Sequence, residues 1–268
     1  MSDPNQEFQP PPPPPATPAS APPEETMSTP QTLTGIFFEP GRVFTALRDR
    51  PRFLVAAVVI MIAFFAYYIS YIQKVGYETL ITAETNSGTR AQSMSAEDKD
   101  RAISVQMNPV VKALRYGGPL LTFAIFFSLG SALYLLGVKM MGKEITYKQS
   151  LSVWTYSSLP PTLLLMLLNI VVLFVKMPED DISIVKGQGG LVHANPGMFM
   201  DGAAHPALAS FAGAFDVFAF YGLFLAALGL RKVCKLSSGA SWGIVLGLWI
   251  IGVIVRVAFS AIAGRPIG

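Results

Sequence analysis

The chain has 268 residues, of which 51% are hydrophobic and only 14% are charged. Soluble globular domains carry roughly 25% charged residues, so this composition excludes an ordinary soluble domain and indicates a membrane protein. The net charge of +3 is too small to indicate a nucleic-acid-binding protein. The single cysteine, Cys234, excludes an intramolecular disulfide.

Residues 1–30 have the composition of a linker. Positions 10–15 are an unbroken run of prolines, and Ala, Ser, Thr and Glu dominate the residues that follow. Such a segment cannot bury enough apolar surface to offset the conformational entropy that it would lose on ordering. It is therefore predicted to be a disordered, proline-rich cytoplasmic tail with local polyproline II structure. It is either an entropic tail or a ligand for a proline-binding partner.

The segment 40–50 is predicted to form a short helix before the first span. Pro40 suits a first helical turn, and Val43, Phe44 and Leu47 fall on one helical face. The polar side carries Arg42, Arg48, Arg50 and Arg52. This pattern is typical of an interfacial helix that lies in the plane of the lipid headgroups, although a plain linker helix has the same pattern.

Five apolar runs are long enough to cross the roughly 30 Å hydrocarbon core of a bilayer, which takes about 20 helical residues. They lie at 53–72, 116–138, 151–175, 211–230 and 242–262. Each must be helical, because lipid offers no water to satisfy open backbone groups. Residues 31–268 are therefore predicted to form an all-α membrane domain, a five-transmembrane-helix bundle.

Orientation follows from the basic residues beside the spans. Lysine and arginine are dense before the first span and in the short connections after the second and fourth spans, and they are more dilute in the segments 73–115 and 176–210. The positive-inside rule then places the amino terminus in the cytoplasm and the carboxyl terminus outside. In the first outer segment, Ser95 and Asp98 predict the start of a surface helix that ends near residue 107.

Two ionisable residues, Asp216 and Arg256, lie inside the predicted fourth and fifth spans. The short basic connection 231–241 makes these spans antiparallel, and a rise of 1.5 Å per residue places Asp216 about 22 Å before Arg231 and Arg256 about 21 Å after Trp242. A lone charge inside a bilayer costs at least about 2.5–3.5 kcal/mol, so such charges usually pair or line a wet cavity. We predict an Asp216–Arg256 ion pair, which either fixes the hairpin register or acts in a proton or ion relay.

The third span contains Pro160 and Pro161, which remove two helical hydrogen-bond donors. A kink is predicted there, and Ser157 and Asn169 are candidates to satisfy the freed carbonyls or to line a polar path. A packing kink and a conduction path remain alternatives.

Small residues predict close packing between the last two spans. Gly243 and Gly247 form a Gly-x-x-x-Gly motif in the fifth span, and Gly222 with Ala226 has the same spacing in the fourth. The motif favours packing within this hairpin over dimerisation, and it leaves the oligomeric state open.

Residues with metal-binding or catalytic chemistry do not form a recognisable motif. The spacing of His193, Asp201 and His205 fits no pattern that places ligands on one face, so neither a metal site nor a cofactor is predicted. The chain also lacks the usual motifs of hydrolases, metalloproteases and nucleotide-binding enzymes. We therefore predict that the protein is not an enzyme and has no catalytic residue.

Two stretches carry a family resemblance, Ile36-Phe-Phe-Glu-Pro-Gly-Arg-Val-Phe-Thr-Ala-Leu-Arg-Asp-Arg-Pro51 and Phe215-Asp-Val-Phe-Ala-Phe-Tyr-Gly-Leu-Phe-Leu-Ala-Ala-Leu-Gly-Leu230. With the order of the spans, they resemble the bacterial branch of the Yip1-domain family over most of the chain. The resemblance implies a five-span protein of the bacterial cytoplasmic (inner) membrane. Eukaryotic relatives are associated with Rab-type GTPases and membrane trafficking, but their Asp-Leu-Tyr-Gly-Pro motif is reduced here to Tyr116-Gly-Gly-Pro119.

Two functional hypotheses follow. The first is a non-enzymatic membrane protein that organises the bilayer or recruits a protein partner through its cytoplasmic tail or face. The second is a small transporter or permeability factor that uses Asp216, Arg256 and the Pro160–Pro161 kink.

Overall fold

The structure, a computed structural model, describes residues 27–87, 91, 93–176, 178, 180–202, 204–264 and 266. Most of the predicted disordered tail, residues 1–26, lies outside the described residues. The first described helix begins at Thr29, within the last two residues of the predicted tail. Ser28 caps that helix: its hydroxyl accepts from the Gln31 amide, and the Gln31 side chain accepts from the Ser28 amide.

Helices account for most of the described residues. In chain order they are α1 (Thr29–Phe38), α2 (Pro40–Asp49), α3 (Leu54–Val75), α4 (Tyr77–Asn86), α5 (Ala96–Gln106), α6 (Pro109–Met140), α7 (Tyr147–Val175), α8 (Asp181–Gly187), α9 (Pro206–Gly213), α10 (Val217–Cys234) and α11 (Ser238–Ala263). A short 3-10 helix at Pro196–Phe199 precedes α9. Five of the helices, α3, α6, α7, α10 and α11, are long and apolar enough to cross a membrane. The predicted all-α bundle with five membrane-spanning helices is therefore confirmed.

Several helices begin at other residues than the predicted apolar runs, most of all those of the second and fourth runs. The helix of the second span begins at Pro109, before the apolar run that starts at residue 116, because the Asn108 side chain accepts from the Val110 amide and caps the helix there. The fourth span begins at Val217 rather than at Phe211, which belongs to the separate helix α9. Residues 214–216 are not helical and separate the two helices.

Helix α7, the third span, is the centre of the bundle. It packs against α3, α6 and α10, while α11 packs mainly against α9 and α10 and more weakly against α6. Glycines allow the closest approaches to α7. A Cβ atom at Gly130 of α6 would lie only 2.4 Å from the ring of Trp154, and one at Gly229 of α10 would lie 2.8 Å from Val153.

The buried residues form two clusters. One joins α1 and α2 to the neighbouring halves of the spans, and we call this part of the molecule the basic end, for the charges described below. The other joins α3, α4, α7 and α8, and we call it the opposite end. There the Tyr67 and Tyr71 hydroxyls donate to the carbonyls of Gly187 and Ile184, which fastens α8 to the first span.

Helix α2 is the helix predicted at 40–50, but its apolar face contacts protein rather than lipid. Val43, Phe44 and Leu47 are each fully buried, and α2 packs against α10 and α7. The helical period identified the apolar face correctly. The spans themselves cover this face, and the position of α2 in the headgroup plane stays a prediction.

The surface helix predicted after Ser95 is confirmed as α5. The Ser95 hydroxyl accepts from the Asp98 amide, and Glu97 and Asp98 lie in the first turn. Helix α4 was not predicted. It follows α3 directly after Gly76, whose φ of 92° allows the sharp change of direction.

Candidate functional site

Three separate segments converge at the basic end. The Gln149 side chain at the start of α7 donates to the Arg48 carbonyl of α2 at 2.8 Å. Lys235, in the connection between α10 and α11, lies close enough to α2 to act on Asp49. The hydrogen bond from Arg48, together with the charges of Arg48 and Lys235, lowers the pKa of Asp49 below its usual range.

This end carries a strong excess of positive charge. Its exposed basic side chains are Arg42, Arg50, Lys139, Lys143, Lys148, Arg231, Lys232 and Lys235. The acidic side chains among them are Glu39, Asp49 and Glu144. Two of these acids already pair within α2, Glu39 with Arg42 at 3.2 Å and Asp49 with Arg48 at 3.1 Å. We call the eight exposed basic residues the basic surface.

Helix α1 is tied to the bundle at both of its faces. The Thr32 and Tyr156 hydroxyls are 3.0 Å apart in a buried contact. Arg52 donates to the Met27 carbonyl at 2.9 Å and to the Thr29 hydroxyl at 3.1 Å. The point at which the proline-rich segment joins the described residues is therefore fixed beside the basic surface.

An exposed aromatic side chain lies at the corner between α1 and α2. Phe38 is 84% exposed, while Ile36 and Phe44 on either side of it are fully buried. Its ring contacts only the neighbouring Phe37 ring among the aromatic contacts of the described residues, with centroids 6.4 Å apart. Exposed aromatic side chains beside arginine are the residue types that most often anchor protein interfaces.

Helix α7 continues through Pro160 and Pro161 without a break. Both prolines and Ser157 are buried, and Gly222 of α10 lies against them. The Ser157 hydroxyl donates to the Trp154 carbonyl at 3.0 Å, not to a carbonyl that the prolines leave free. The structure therefore uses this segment for close packing between α7 and α10.

Asn169 fastens a loop of the opposite end to α7. Its side-chain nitrogen donates to the Leu165 carbonyl at 2.8 Å. Its side-chain oxygen accepts from the amides of Leu191 and Val192, the second at 2.8 Å. Each polar atom of this fully buried side chain is thus engaged in the folded structure.

Replacing Asn169 by leucine is expected to release this loop. The substitution leaves the amides of Leu191 and Val192 without their acceptor, and because both donors are partly buried the cost for each should fall below the roughly 1–3 kcal/mol of a fully buried one. Hydrogen exchange at residues 190–193 measures the effect, and it should accelerate there but not in α10. Ser158→Ala is the control, because the Ser158 hydroxyl contacts only a helical carbonyl. Equal exchange in both variants would contradict the assigned role of Asn169.

Asp216 does not lie inside a helix, which corrects the prediction. It is the N-cap of α10: one carboxylate oxygen accepts from the Phe218 amide at 2.9 Å, and the other accepts from the Ala194 amide at 3.2 Å. Asn195 also donates to it, at 3.1 Å. The carboxylate therefore caps the fourth span and holds the preceding loop against it.

Arg256 reaches the same region from α11. Its guanidinium lies beside Gly213, 3.2 Å from the position of a Cβ atom there, and it is attracted by the charge of Asp216. Both charges are thus at the opposite end of the hairpin from its basic connection. The direct ion pair stays a prediction, which a double-mutant cycle of Asp216→Asn and Arg256→Gln would measure as a coupling free energy.

Gly243 and Gly247 do not contribute to packing within the hairpin, contrary to the prediction. A Cβ atom at either position would meet no atom within 4 Å. Both lie on an exposed face of α11, while Ile244 and Val245 between them are buried. Gly222 of the fourth span, in contrast, does face α7.

A polar cluster at the opposite end was not identified from the sequence. Arg115 of α6 forms an ion pair with Glu84 of α4 and donates to Gln106 at 3.2 Å and to Gln188 at 3.0 Å. The Gln188 amide also donates to Glu84 at 2.6 Å. Helices α4, α5 and α6 and the end of α8 meet at these four side chains. Only long-range pairing brings them together, so no local pattern could have revealed the cluster.

The candidate metal ligands make other contacts. The His193 ring contacts the Leu191 carbonyl, whereas Asp201 accepts from the Ala204 amide and its carbonyl accepts from the His205 amide. Among the described residues, no group of three or more His, Cys, Asp or Glu side chains is placed to hold a metal ion.

Comparison with known proteins bears on this arrangement as a whole. The model of the Yip1 domain family matches residues 34–259, from the middle of α1 to the last turns of α11. The chain belongs to the Yip1 domain family. The match includes α2, the five spans and every residue of the basic surface, so that surface is part of the Yip1 domain itself. The resemblance seen in the sequence is thereby confirmed.

A bacterial relative supports the assignment along nearly the whole chain. Membrane protein YknW of Bacillus subtilis is 28% identical over 251 residues, which cover 89% of this chain and 92% of YknW. No solved structure matches this chain. The protein is thus a Yip1-domain membrane protein, and the match to its bacterial relative covers nearly the full length of both chains.

Proposed function

We propose that this Yip1-domain protein is a non-enzymatic membrane component that recruits a protein partner with an acidic surface through its basic end. We also propose that the basic end faces the cytoplasm, with the carboxyl terminus outside the bacterial inner membrane. The observation that carries the proposal is the basic surface, because eight exposed basic side chains from three segments are held together on a rigid base.

Rigidity distinguishes this surface from ordinary flanking charges. Basic residues beside membrane spans are expected from topology alone, and they need no fixed arrangement. Here α2 is held by three fully buried side chains, and Gln149 ties it to α7. A surface whose backbone is already ordered loses less entropy when a partner binds.

The charge and the exposed aromatic ring favour a protein partner. Complementary charge steers an acidic partner to the surface and speeds association. Phe38 supplies a large exposed apolar side chain at the corner before α2, and aromatic and arginine side chains are enriched at protein interfaces. Anionic lipid headgroups would respond to the same field but would not require Phe38.

The transporter hypothesis gains no support from the same residues. Ser157, Asn169 and Asp216 each make hydrogen bonds that hold helices or loops in place. A relay through Arg256 and Asp216 stays a prediction, and flux through the reconstituted protein is the measurement that would establish it.

Crosslinking in native membranes followed by affinity purification tests the proposed recruitment. The full chain is compared with a chain that lacks residues 1–26, which keeps Met27 and the Ser28 cap and so preserves α1. A stoichiometric partner retained by both chains supports recruitment by the basic surface. A partner lost on truncation assigns recruitment to the proline-rich segment instead, and absence of any stoichiometric partner contradicts the proposal.

A further inference from the structure

A groove of about 480 Å³ opens between the first and second spans towards the opposite end. Phe64 and Tyr68 of α3 form one wall, and Phe123 and Phe126 of α6 form the other. The groove exists because α3 and α6 each pack closely against α7 but contact each other only slightly. Its volume falls within the range of known small-molecule sites, which is about 300–1,000 Å³.

The sequence Gly117-Gly118-Pro119 shapes the α6 side of the groove. Gly118 lines it, and a Cβ atom there would meet no atom within 4 Å. Pro119 has no amide hydrogen to donate to the Arg115 carbonyl, which it would otherwise reach by a helical hydrogen bond. The Tyr68 hydroxyl of α3 donates to that carbonyl at 3.4 Å instead. The two spans are therefore joined at the Arg115 end of the groove, and the Phe64 and Phe123 rings, with centroids 5.2 Å apart, meet at its floor.

Arg115 forms the polar end of the groove. Its two terminal nitrogens donate to Glu84, Gln106 and Gln188, but its buried Nε has no hydrogen-bond acceptor among the described residues. A buried donor without an acceptor costs about 1–3 kcal/mol. An acceptor oxygen from a bound molecule would remove that cost.

The local charge favours an anion. Glu84 pairs with Arg115, and Lys112 adds a second positive charge one turn nearer the start of α6, where Glu78 follows Tyr77 in the chain. Residues three apart on a helix lie on the same face. The Lys112 ammonium lies 4.6 Å from the Tyr77 ring, which keeps it beside the cluster.

The depth of the groove fits one lipid leaflet. Phe126 lies eleven residues after Arg115, or about 16 Å along the helix, which is about half of a hydrocarbon core roughly 30 Å thick. The uninterrupted apolar part of α6 begins directly after Arg115. A molecule with its polar group at Arg115 would thus place an apolar chain in the groove, over the Phe64 and Phe123 rings.

We propose that this groove binds one anionic phospholipid, with its phosphate at Arg115 and an acyl chain between α3 and α6. The site lies at the opposite end, away from the basic surface, and the proposal does not depend on the proposed recruitment of a protein partner. It differs from ordinary contact with surrounding lipid in two ways: it is selective for an anionic headgroup, and it depends on the open space at Gly118.

Native mass spectrometry of the full chain, with phosphatidylglycerol, phosphatidylethanolamine or glycerol 3-phosphate added, tests the site. Gly118→Leu places a side chain in the groove, and Gly117→Leu is the matched control, because its added Cβ also meets no atom and Gly117 does not line the groove. We expect one phosphatidylglycerol per chain in the unaltered protein and in Gly117→Leu. In Gly118→Leu the affinity should fall by at least about tenfold, which corresponds to 1.4 kcal/mol.

Three results would overturn the proposal. Equal retention of phosphatidylglycerol by the two leucine variants would assign it to the surrounding lipid. Equal affinity for phosphatidylethanolamine would remove the headgroup selectivity, and binding of glycerol 3-phosphate as tight as that of phosphatidylglycerol would make the site a free-phosphate site. The exposed Lys112→Gln variant, which leaves the buried cluster intact, should weaken the preference for phosphatidylglycerol over phosphatidylethanolamine.

Discussion

Replacing Phe44 by alanine is expected to lower the free energy of unfolding by about 3–5 kcal/mol, the usual cost of removing a buried phenylalanine. Phe44 is fully buried between α2, α7 and α10, and its ring contacts the backbone of the fourth span at Gly229. Helix α2 should detach from the spans first, because it is held mainly by Val43, Phe44 and Leu47. The basic surface would then lose its rigid base.

The loss of stability can be measured by the midpoint of thermal unfolding of the purified protein in detergent or nanodiscs. Phe38→Ala is the matched control, since Phe38 is 84% exposed and lies at the end of the preceding helix. Its midpoint should stay close to that of the unaltered protein. If both variants unfolded at the same temperature, the burial of α2 against the spans would be wrong.

A leucine at Gly229 is the second substitution with a large expected effect. A Cβ atom there would lie 2.8 Å from Val153 and 2.9 Å from Phe44, both of which are fully buried and cannot swing into solvent. Overpacking of this kind costs about 1–3 kcal/mol, and the upper value is expected because two helices would have to move away from α10.

The same substitution at Gly243 provides the control. A leucine there enters open space on α11 and replaces a helical glycine, which is worth up to about 1 kcal/mol in helix propensity. Thermal unfolding should therefore separate the two variants, with Gly229→Leu less stable and Gly243→Leu as stable as the unaltered protein or more so. Destabilisation of Gly243→Leu alone would show that the packed face of α11 has been assigned wrongly.

The five spans were predictable because their signal is local. An uninterrupted apolar run near 20 residues has few alternatives to a membrane-spanning helix. The residues at which the helices begin and end were less predictable, because a helix cap depends on a single side chain rather than on a long apolar run. Asp216 illustrates this: within an apolar stretch it suggested an intramembrane charge, whereas it caps α10 after a break that follows Gly213.

Which neighbour covers an apolar face is not a local property. The period of Val43, Phe44 and Leu47 showed that α2 has an apolar face, but lipid and protein impose the same pattern on a helix. The glycine motifs show the same limit. Gly222 faces α7 and Gly243 faces open space, although both belong to motifs of equal spacing.

The polar cluster at Arg115 lay beyond any pattern in the sequence. Its members Glu84, Gln106, Arg115 and Gln188 come from four parts of the chain. Taken along the sequence, Arg115 is only a single basic residue just before an apolar run. Packing of α4 and α8 on the spans is what gives it an ion pair and a place at the end of a groove.

Charge reversal on the basic surface tests the central claim most directly. The test variant carries both Lys232→Glu and Lys235→Glu. The control variant carries both Lys99→Glu and Arg101→Glu on α5, a helix of the opposite end that has no buried residues. Labelling of a single introduced cysteine would first establish that both variants keep the orientation of the unaltered chain. Quantitative crosslinking should then show the stoichiometric partner lost from the Lys232 and Lys235 variant and retained by the α5 variant. Equal retention by both would contradict recruitment through the basic surface.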